Sequence, residues 1–166
     1  MDDLLEVVAL LAANDRAVEG FPSGGVRQRI LEQVIGPERY APFTRRIAAF
    51  FGVSEESARE SLVALTRGPF EPLALPGFAR RRAPAGCLLA DAMFLRLDAG
   101  IRCPPHRHLG LERLLVLEGA FFETDGARAG PGDLAEKAAF SSHSFRVADD
   151  GPCVCAYSIE HGVEFS

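Results

Sequence analysis

Three histidines and a glutamate stand in a pattern that suits metal binding. Alternate side chains of a β-strand point to the same face, so His106 and His108 would project together from a strand. A turn at residues 109–110 would let the next strand return Glu112 beside them. With His143 added, three imidazoles and a carboxylate would suit one borderline divalent cation such as zinc, iron, manganese or nickel. The spacing therefore predicts a metal site.

A single histidine in a strand is more often hydrogen-bonded or exposed than a metal ligand, and His161 is assigned to that class. The cluster differs, because a buried group of imidazoles and a carboxylate without a metal ion would leave polar atoms unsatisfied in an apolar barrel. Metal binding is therefore favoured over a metal-free cluster.

The same residues carry a resemblance to the cupin superfamily. Its first motif, G-x5-H-x-H-x3-E-x6-G, is matched at every fixed position from Gly100 to Gly119. In the second motif, G-x5-P-x-G-x2-H, Gly132 and His143 match, but Ala138 and Phe140 replace the proline and the second glycine. The resemblance implies a jelly-roll barrel over the last hundred residues or so, with His106, His108, Glu112 and His143 as the metal ligands.

The chain divides by pattern near residue 70 into a helical segment over residues 1–70 and a barrel over residues 71–166. Helical spacing of apolar residues covers 4–11, 26–35 and 40–51, and Ser54 is a favourable N-cap for a fourth helix that fades near Gly68. Beyond Pro69, short apolar runs at 73–75, 88–97, 114–122, 145–147 and 154–159 alternate with turns. The fold class predicted is α+β, mostly β, with antiparallel strands in a sandwich or barrel.

Composition narrows the functional classes. The chain has 166 residues, 48% of them hydrophobic, with a net charge of -5. This acidity argues against general binding to nucleic acid or anionic membranes. The start is acidic where a secretory signal would carry positive charge, and no apolar run approaches membrane length, so a cytoplasmic location is expected.

The four cysteines form no C-x2-C pair and therefore indicate neither a zinc ribbon nor a thioredoxin-like motif. Cys153 and Cys155 would share one strand face as buried thiols. Cys103 lies three residues before the first ligand and could reach the pocket, although a plainly buried thiol is the more common case.

The segment over residues 47–62 has the look of a helix-turn-helix, with Gly52 at the turn. A recognition helix must approach phosphates, yet this one carries Glu55, Glu56 and Glu60 against a single Arg59. A structural helical hairpin is the favoured interpretation, and a DNA-binding regulator is disfavoured.

The barrel half, with P-H-R-H-L-G-L-E-R-L-L-V-L-E-G followed by a G-D turn and S-H-S-F, resembles the C-terminal domain of ChrR-type anti-sigma factors. In that family the cupin binds zinc and takes part in sensing oxidative stress, while a separate N-terminal zinc domain binds the sigma factor. The family's H-x3-C-x2-C motif is missing here, because no cysteine precedes Cys87. The resemblance therefore transfers the ligand set and not the sigma-factor contact.

Two functions stay open from the sequence. The favoured one is a sensory or regulatory metal-binding cupin that reports a small molecule or oxidant to a protein partner. The alternative is a small cupin metalloenzyme, above all an Fe(II)-dependent dioxygenase, with Arg96, Arg113 and Tyr157 as candidates for lining its pocket. No catalytic residue is identified, and an isomerase or epimerase lacks a recognisable general base.

Cupin sheets commonly bury a face against a second copy, so a homo-oligomer, most simply a homodimer, is expected. The apolar surface for it would come from a cluster of leucines at residues 109, 111, 114 and 115.

Overall fold

The computed structural model describes residues 36–165. The helices predicted over residues 4–11 and 26–35 lie outside the described residues. Within them, a short 3-10 helix at Ala41–Phe43 leads into α1 (Thr44–Phe51) and α2 (Glu55–Leu65). None of the described helices is long and apolar enough to cross a membrane.

The two helices begin and end where their capping residues allow. Gly52 ends α1 in the left-handed conformation, with φ of 67°. The Ser54 side chain then accepts a hydrogen bond from the Ser57 amide at 3.1 Å and caps α2, as predicted. Glu55 and Glu56 lie in the first turn of α2, where negative charge complements the helix dipole.

Eleven strands follow in the described residues and form two antiparallel sheets. Sheet A has the order β1-β2-β3-β10-β5-β8 and sheet B the order β11-β4-β9-β6-β7. The strands are β1 (Glu71–Pro72), β2 (Phe78–Arg82), β3 (Ala92–Leu97), β4 (Arg102–His108), β5 (Glu112–Glu118), β6 (Phe121–Glu123), β7 (Arg128–Ala129), β8 (Leu134–Lys137), β9 (Ser142–Val147), β10 (Cys153–Ile159) and β11 (Val163–Phe165).

Two apolar cores result from the alternation of side chains along these strands. The first lies between the sheets and includes Leu114, Val116 and Cys155. The second lies between the helices and the outer face of sheet A, where Phe51 contacts Phe94 with ring centroids 5.1 Å apart. Because the helices cover this face, the central strand β10 is buried on both sides.

Several strands differ from the sequence expectation. Residues 73–75, expected to form a strand, lie instead in the connection between β1 and β2, and β3 begins at Ala92 rather than at 88. The run over 114–122 is split into β5 and β6 by Gly119, which has φ of 70°. A β-carbon at Gly119 would overlap the Pro152 carbonyl, so glycine is required at the end of the first motif.

Strand β2 was missed because its FARRR sequence lacks an apolar alternation. One reason for the arginines is local. The Arg81 guanidinium donates hydrogen bonds to the carbonyl of Ala64, in the last turn of α2, and to that of Gly68, just beyond the helix. A charged residue thus satisfies carbonyls at the end of a helix that packs on the same sheet.

The leucines expected to form an apolar surface are divided by the fold. Leu114 lies between the sheets and Leu115 lies under the helices, and both are buried. Leu111 is 38% exposed and Leu109 is half-buried. The expectation of a four-leucine surface was therefore wrong for Leu114 and Leu115, because neighbouring positions on β5 face two different cores.

Candidate metal centre

The strands bring the predicted residues to one end of the barrel from opposite sheets. In sheet B, His106 on β4 lies directly across from His143 on β9, and His108 shares the face of His106. Glu112 begins β5, which is part of sheet A and pairs with β10 and β8. The bend after β4 therefore carries Glu112 to the facing sheet, rather than to a strand hydrogen-bonded beside the histidines.

The four side chains converge closely. One ligand atom from each of His106, His108, Glu112 and His143 lies within 4.8 Å of the other three. The Nε2 atoms of His106 and His143 are 3.1 Å apart. Glu112 Oε2 is 3.3 Å from Nε2 of His108 and 3.8 Å from Nε2 of His143. Ligand atoms around one tetrahedral ion with bonds of about 2.1 Å are about 3.4 Å apart, so the three separations of 3.1, 3.3 and 3.8 Å are compatible with one shared metal ion.

Each histidine is oriented through its other ring nitrogen. His106 Nδ1 is 2.9 Å from the Pro104 carbonyl, which can only accept a hydrogen bond. His108 Nδ1 is 3.0 Å from Ser141 Oγ, and the Ser141 hydroxyl already donates to the Ala138 carbonyl. The Nδ1 atoms of these two rings must therefore carry the hydrogens, and their Nε2 lone pairs point into the centre.

The arrangement fits a cation. His108 is fully buried, and its Nε2 atom has no hydrogen-bond partner among residues 36–165. Burial lowers the pKa of His106, and burial with the neighbouring imidazoles lowers the pKa of His108 to about 4. Both rings are therefore neutral near pH 7, and converging lone pairs would repel one another without a positive ion. The cluster could hold a metal ion through these Nε2 atoms and the Glu112 carboxylate.

Glu123 and Lys137 complete the surroundings of His143 and were not found from the sequence. Glu123 Oε2 lies 2.7 Å from His143 Nδ1, and Lys137 Nζ lies 2.9 Å from Glu123 Oε1. Burial by itself would raise the pKa of Glu123. The hydrogen bonds that Glu123 accepts from His143 and Lys137 have a larger combined effect, so the pKa of Glu123 lies below its ordinary value. Because Phe121 and Glu123 are two residues apart, the sequence could have placed both side chains on the inner face of one strand. No local pattern, however, shows that this strand pairs with β9, which carries His143.

The three residues suggested for a pocket have different positions. Tyr157 lies on the inner face of β10 and interacts with Glu112, and burial raises its pKa. Arg96 pairs with Asp98 at 2.6 Å, and Arg113 stacks over the Phe50 ring on the helix-covered side. Arg96 and Arg113 are therefore not brought to the centre. His161, expected to lie outside the ligand set, is exposed in the turn after β10.

Neither a family model nor a curated protein matches the chain, but solved structures do. An RmlC-like cupin protein from Ralstonia eutropha JMP134 is 16% identical over 58% of this chain and 66% of that one, with a TM-score of 0.51. A protein of unknown function with a cupin-like fold from the same organism is 20% identical over 46% and 51%, with a TM-score of 0.42. The complex of SigE with the anti-sigma ChrR from Rhodobacter sphaeroides matches at 24% identity over 96% and 77%, with a TM-score of 0.49.

The chain has a cupin fold. Two facing antiparallel sheets in jelly-roll order and the likeness to the RmlC-like cupin agree on this. The chain spans about half the length of the cupin-like protein of unknown function, at 51%. At such identities the likeness shows the fold alone, and the two matches with TM-scores below 0.5 carry no argument about function.

The second cupin motif keeps its turn although its glycine is replaced. Phe140 stands at that position with φ of 65°, in the left-handed region that favours glycine. The Phe140 amide donates to the His108 carbonyl at 2.9 Å, and the Ser141 amide donates to the Ala138 carbonyl. These bonds hold the turn before His143 with phenylalanine at the position of the usual glycine.

Substitutions at Phe140 should reveal the strain in this turn. We expect Phe140→Gly to be more stable than Phe140→Ala by about 0.5–1 kcal/mol, the reverse of the order at ordinary positions. The left-handed conformation costs a non-glycine residue about 1–2 kcal/mol, and glycine loses about 0.5–1 kcal/mol through its unfolded-state entropy. Both variants lose the stacking of Arg107 on the ring, so that loss cancels. Urea unfolding of the metal-free variants measures the difference, and a more stable alanine variant would contradict it.

Three of the four cysteines are buried thiols. Cys103 Sγ lies 3.6 Å from His106 Nδ1, inside the barrel. Burial, with the nearby Glu112 charge, raises the pKa of Cys103 to about 12. Burial likewise raises the pKa of Cys153 to about 12 and that of Cys155 well above its usual value. These groups stay protonated near pH 7 and are poor nucleophiles.

Thiol reagents should therefore distinguish Cys87 from the other three. Cys87 is half-buried in the loop before β3, whereas Cys103, Cys153 and Cys155 are buried. We expect iodoacetamide to label Cys87 first in the folded protein and all four after denaturation, as read by peptide mass spectrometry. Fast labelling of Cys103 in the folded protein would contradict the burial of its thiol.

Proposed function

We propose that this chain is a metal-binding cupin of the ChrR-like type with a sensory or regulatory role in transcription or the stress response. One divalent metal ion, zinc by preference, would be held by His106, His108, Glu112 and His143. The observation that carries the proposal is the buried Nε2 of His108, which faces the other donor atoms and lacks a hydrogen-bond partner in the part of the chain that the structure describes.

The donor set supports zinc. Imidazole nitrogen and carboxylate oxygen are zinc ligands, and tetrahedral geometry brings ligand atoms to the separations found here. Bound zinc would supply a fixed positive charge without redox cycling. The residues around it would keep the imidazoles oriented and, through burial, limit the access of water.

The neighbouring titratable groups favour binding over acid–base catalysis. Glu123 is held as a carboxylate by its hydrogen bonds, while burial keeps Tyr157 and Cys103 protonated. A general acid or base works best with a pKa near the operating pH, and the pKa values of these three groups are all shifted away from it. This argues against an isomerase or epimerase that would use them.

Strand β5 offers a physical connection between the centre and the helices. Glu112, at its first position, faces the other ligands, while Leu115 and Leu117 on its opposite face pack under α1 and α2. A change at the metal centre on binding a small molecule or oxidant could therefore alter the helical surface. We propose that this surface contacts a protein partner, and that nucleic acid and membranes are not partners.

Metal content provides the first test. Protein purified from its own source without chelators or metal-affinity resin is expected to contain close to one zinc ion per chain by mass spectrometry.

The regulatory role is tested by gene deletion in the source organism, followed by transcript profiling after complementation with wild type or His108→Ala. Only the wild type should restore the profile. Absence of metal uptake by the metal-free protein, or equal restoration by both, would overturn the proposal.

An Fe(II)-dependent dioxygenase is the second candidate. The observation that favours it is the donor set itself, because neutral imidazoles and one carboxylate also suit iron. An iron-loaded sample should then consume oxygen with a small-molecule substrate, and His143→Ala should abolish that consumption. Stoichiometric zinc in the native protein, with no oxygen uptake after iron loading, would exclude this candidate.

Three further features belong to the proposal. We place the boundary between the helical segment and the barrel near residue 70, and we propose a cytoplasmic location and a homodimer. Since Leu114 and Leu115 are buried, only Leu109 and Leu111 remain of the four leucines expected at this surface. Sedimentation of the purified protein tests the dimer directly.

A further inference from the structure

The three histidines differ in the group that orients them. The Nδ1 partner of His106 is a backbone carbonyl, and that of His108 is a hydroxyl. His143 Nδ1 instead faces a carboxylate, that of Glu123, at 2.7 Å. Of the three rings, His143 alone is oriented by a charged side chain. Hydrogen bonds to an ionised group are shorter and about twice as strong as neutral ones.

His143 is also the ligand with the least protection from its surroundings. Its side chain is 10% exposed, against 0% for His108 and 5% for Glu112. It follows the turn at Phe140, where the usual glycine is absent. A strong hydrogen bond is thus placed at the most exposed of the four proposed ligands.

Lys137 ties this arrangement to the opposite sheet. Glu123 ends β6 in sheet B, whereas Lys137 ends β8 in sheet A and lies across from Glu112 in the strand register. The Lys137–Glu123 ion pair of 2.9 Å therefore connects the sheets beside the proposed ligands. The Glu123 and Lys137 side chains are 12% and 25% exposed, so water screens the pair only partly.

We propose that Glu123 and Lys137 form a positioning pair that orients His143 and strengthens its Nε2 as a metal donor. Glu123 acts on His143 directly, and Lys137 fixes Glu123 from the facing sheet. The effect on metal affinity rests on the proposed metal-binding function, whereas the effect on the His143 ring does not. Outer partners of this kind hold a ligand's tautomer and raise its basicity.

Four variants separate the contributions. Glu123→Gln keeps an acceptor oxygen but loses the charge, and Glu123→Ala loses both. Lys137→Met removes the cation while keeping an extended side chain. Glu136→Gln is the matched control, because Glu136 lies on the same strand and pairs with Arg113 at 3.3 Å, away from the centre.

Zinc affinity by chelator competition and the absorption of the cobalt-substituted protein are the metal readouts. We expect Glu123→Gln to weaken zinc binding about 10-fold and Glu123→Ala about 100-fold. Lys137→Met should weaken it about 2–5-fold, and Glu136→Gln should leave it unchanged. A changed cobalt spectrum in Glu123→Ala would show altered coordination rather than a general loss of stability.

Nitrogen-15 NMR of the histidine rings in metal-free protein tests the positioning separately. The His143 Nδ1–H signal should be present in wild type and lost or exchange-broadened in Glu123→Ala, with His106 and His108 unaffected. If wild type fails to bind zinc or cobalt, the proposed function fails, while this signal still tests the orientation of His143. Wild-type zinc affinity and an unchanged His143 signal in Glu123→Ala would overturn the inference.

Discussion

His108→Ala is expected to remove the stabilisation of the protein by zinc. At a free zinc concentration near 1,000 times the dissociation constant, binding should stabilise the wild type by about 4 kcal/mol. For a chain of this length that corresponds to a rise in Tm of about 8–16 °C. The variant lacks a fully buried side chain of the proposed ligand set and should show little rise at the same zinc concentration. Thermal unfolding with zinc and with a chelator measures both.

The metal-free proteins should differ much less than the zinc-loaded ones. Alanine leaves a cavity, but it also removes the Nε2 atom, whose burial without a partner among the described residues itself costs about 1–3 kcal/mol. His161→Asn is the matched control, since His161 is exposed and asparagine tolerates its φ of 63°. An equal zinc-dependent rise in Tm for His108→Ala and wild type would contradict a role for His108 as a ligand.

Phe51→Ala is expected to lower the free energy of unfolding by about 3–5 kcal/mol. The Phe51 side chain is 1% exposed and packs edge-on against Phe50 and Phe94 at centroid distances of 4.9 and 5.1 Å. Its loss leaves a cavity between α1 and the outer face of sheet A. Such a cost is a large share of the 5–15 kcal/mol that stabilises a typical domain. Denaturant unfolding of the metal-free protein gives the value.

Hydrogen exchange would show which helices and strands lose stability in the Phe51→Ala variant. Amides of α1 and α2 should lose protection in Phe51→Ala before those of sheet B, because the helices are held by this core. Leu88→Ala is the control, since Leu88 is 96% exposed and its truncation should change stability by less than about 0.5 kcal/mol. A cost below 1 kcal/mol for Phe51→Ala would show that the helices contribute little to the fold.

The candidate site was largely predictable from local patterns. Alternation on β4 places His106 and His108 on one face wherever that strand pairs. The N-cap at Ser54 and the glycine at the end of α1 follow likewise from residue type and short-range hydrogen bonds. The strands missed were short, or lacked apolar alternation, as in β2.

The residues that surround the site could not be predicted from local sequence patterns. Glu123 lies 20 positions before His143 and meets it only because β6 pairs with β9. The sequence also gave no sign that Glu112 would approach from the facing sheet, or that Arg96 and Arg113 would point away from the centre. Leu114 and Leu115 were assigned to a surface because local patterns do not show that sheet B covers one face of β5 and the helices cover the other.

By itself the sequence determined the four candidate ligands, the α+β class and the capping of the helices, since each depends on residue type and spacing along the chain. Tertiary structure alone decided that Glu123 and Lys137 lie beside His143 and that both sheets contribute residues to the centre. It also decided that Phe140 adopts the left-handed conformation that the usual glycine would adopt in this turn. Spacing along a strand fixes which side chains share a face. Which strands become neighbours depends on packing between residues far apart in the chain.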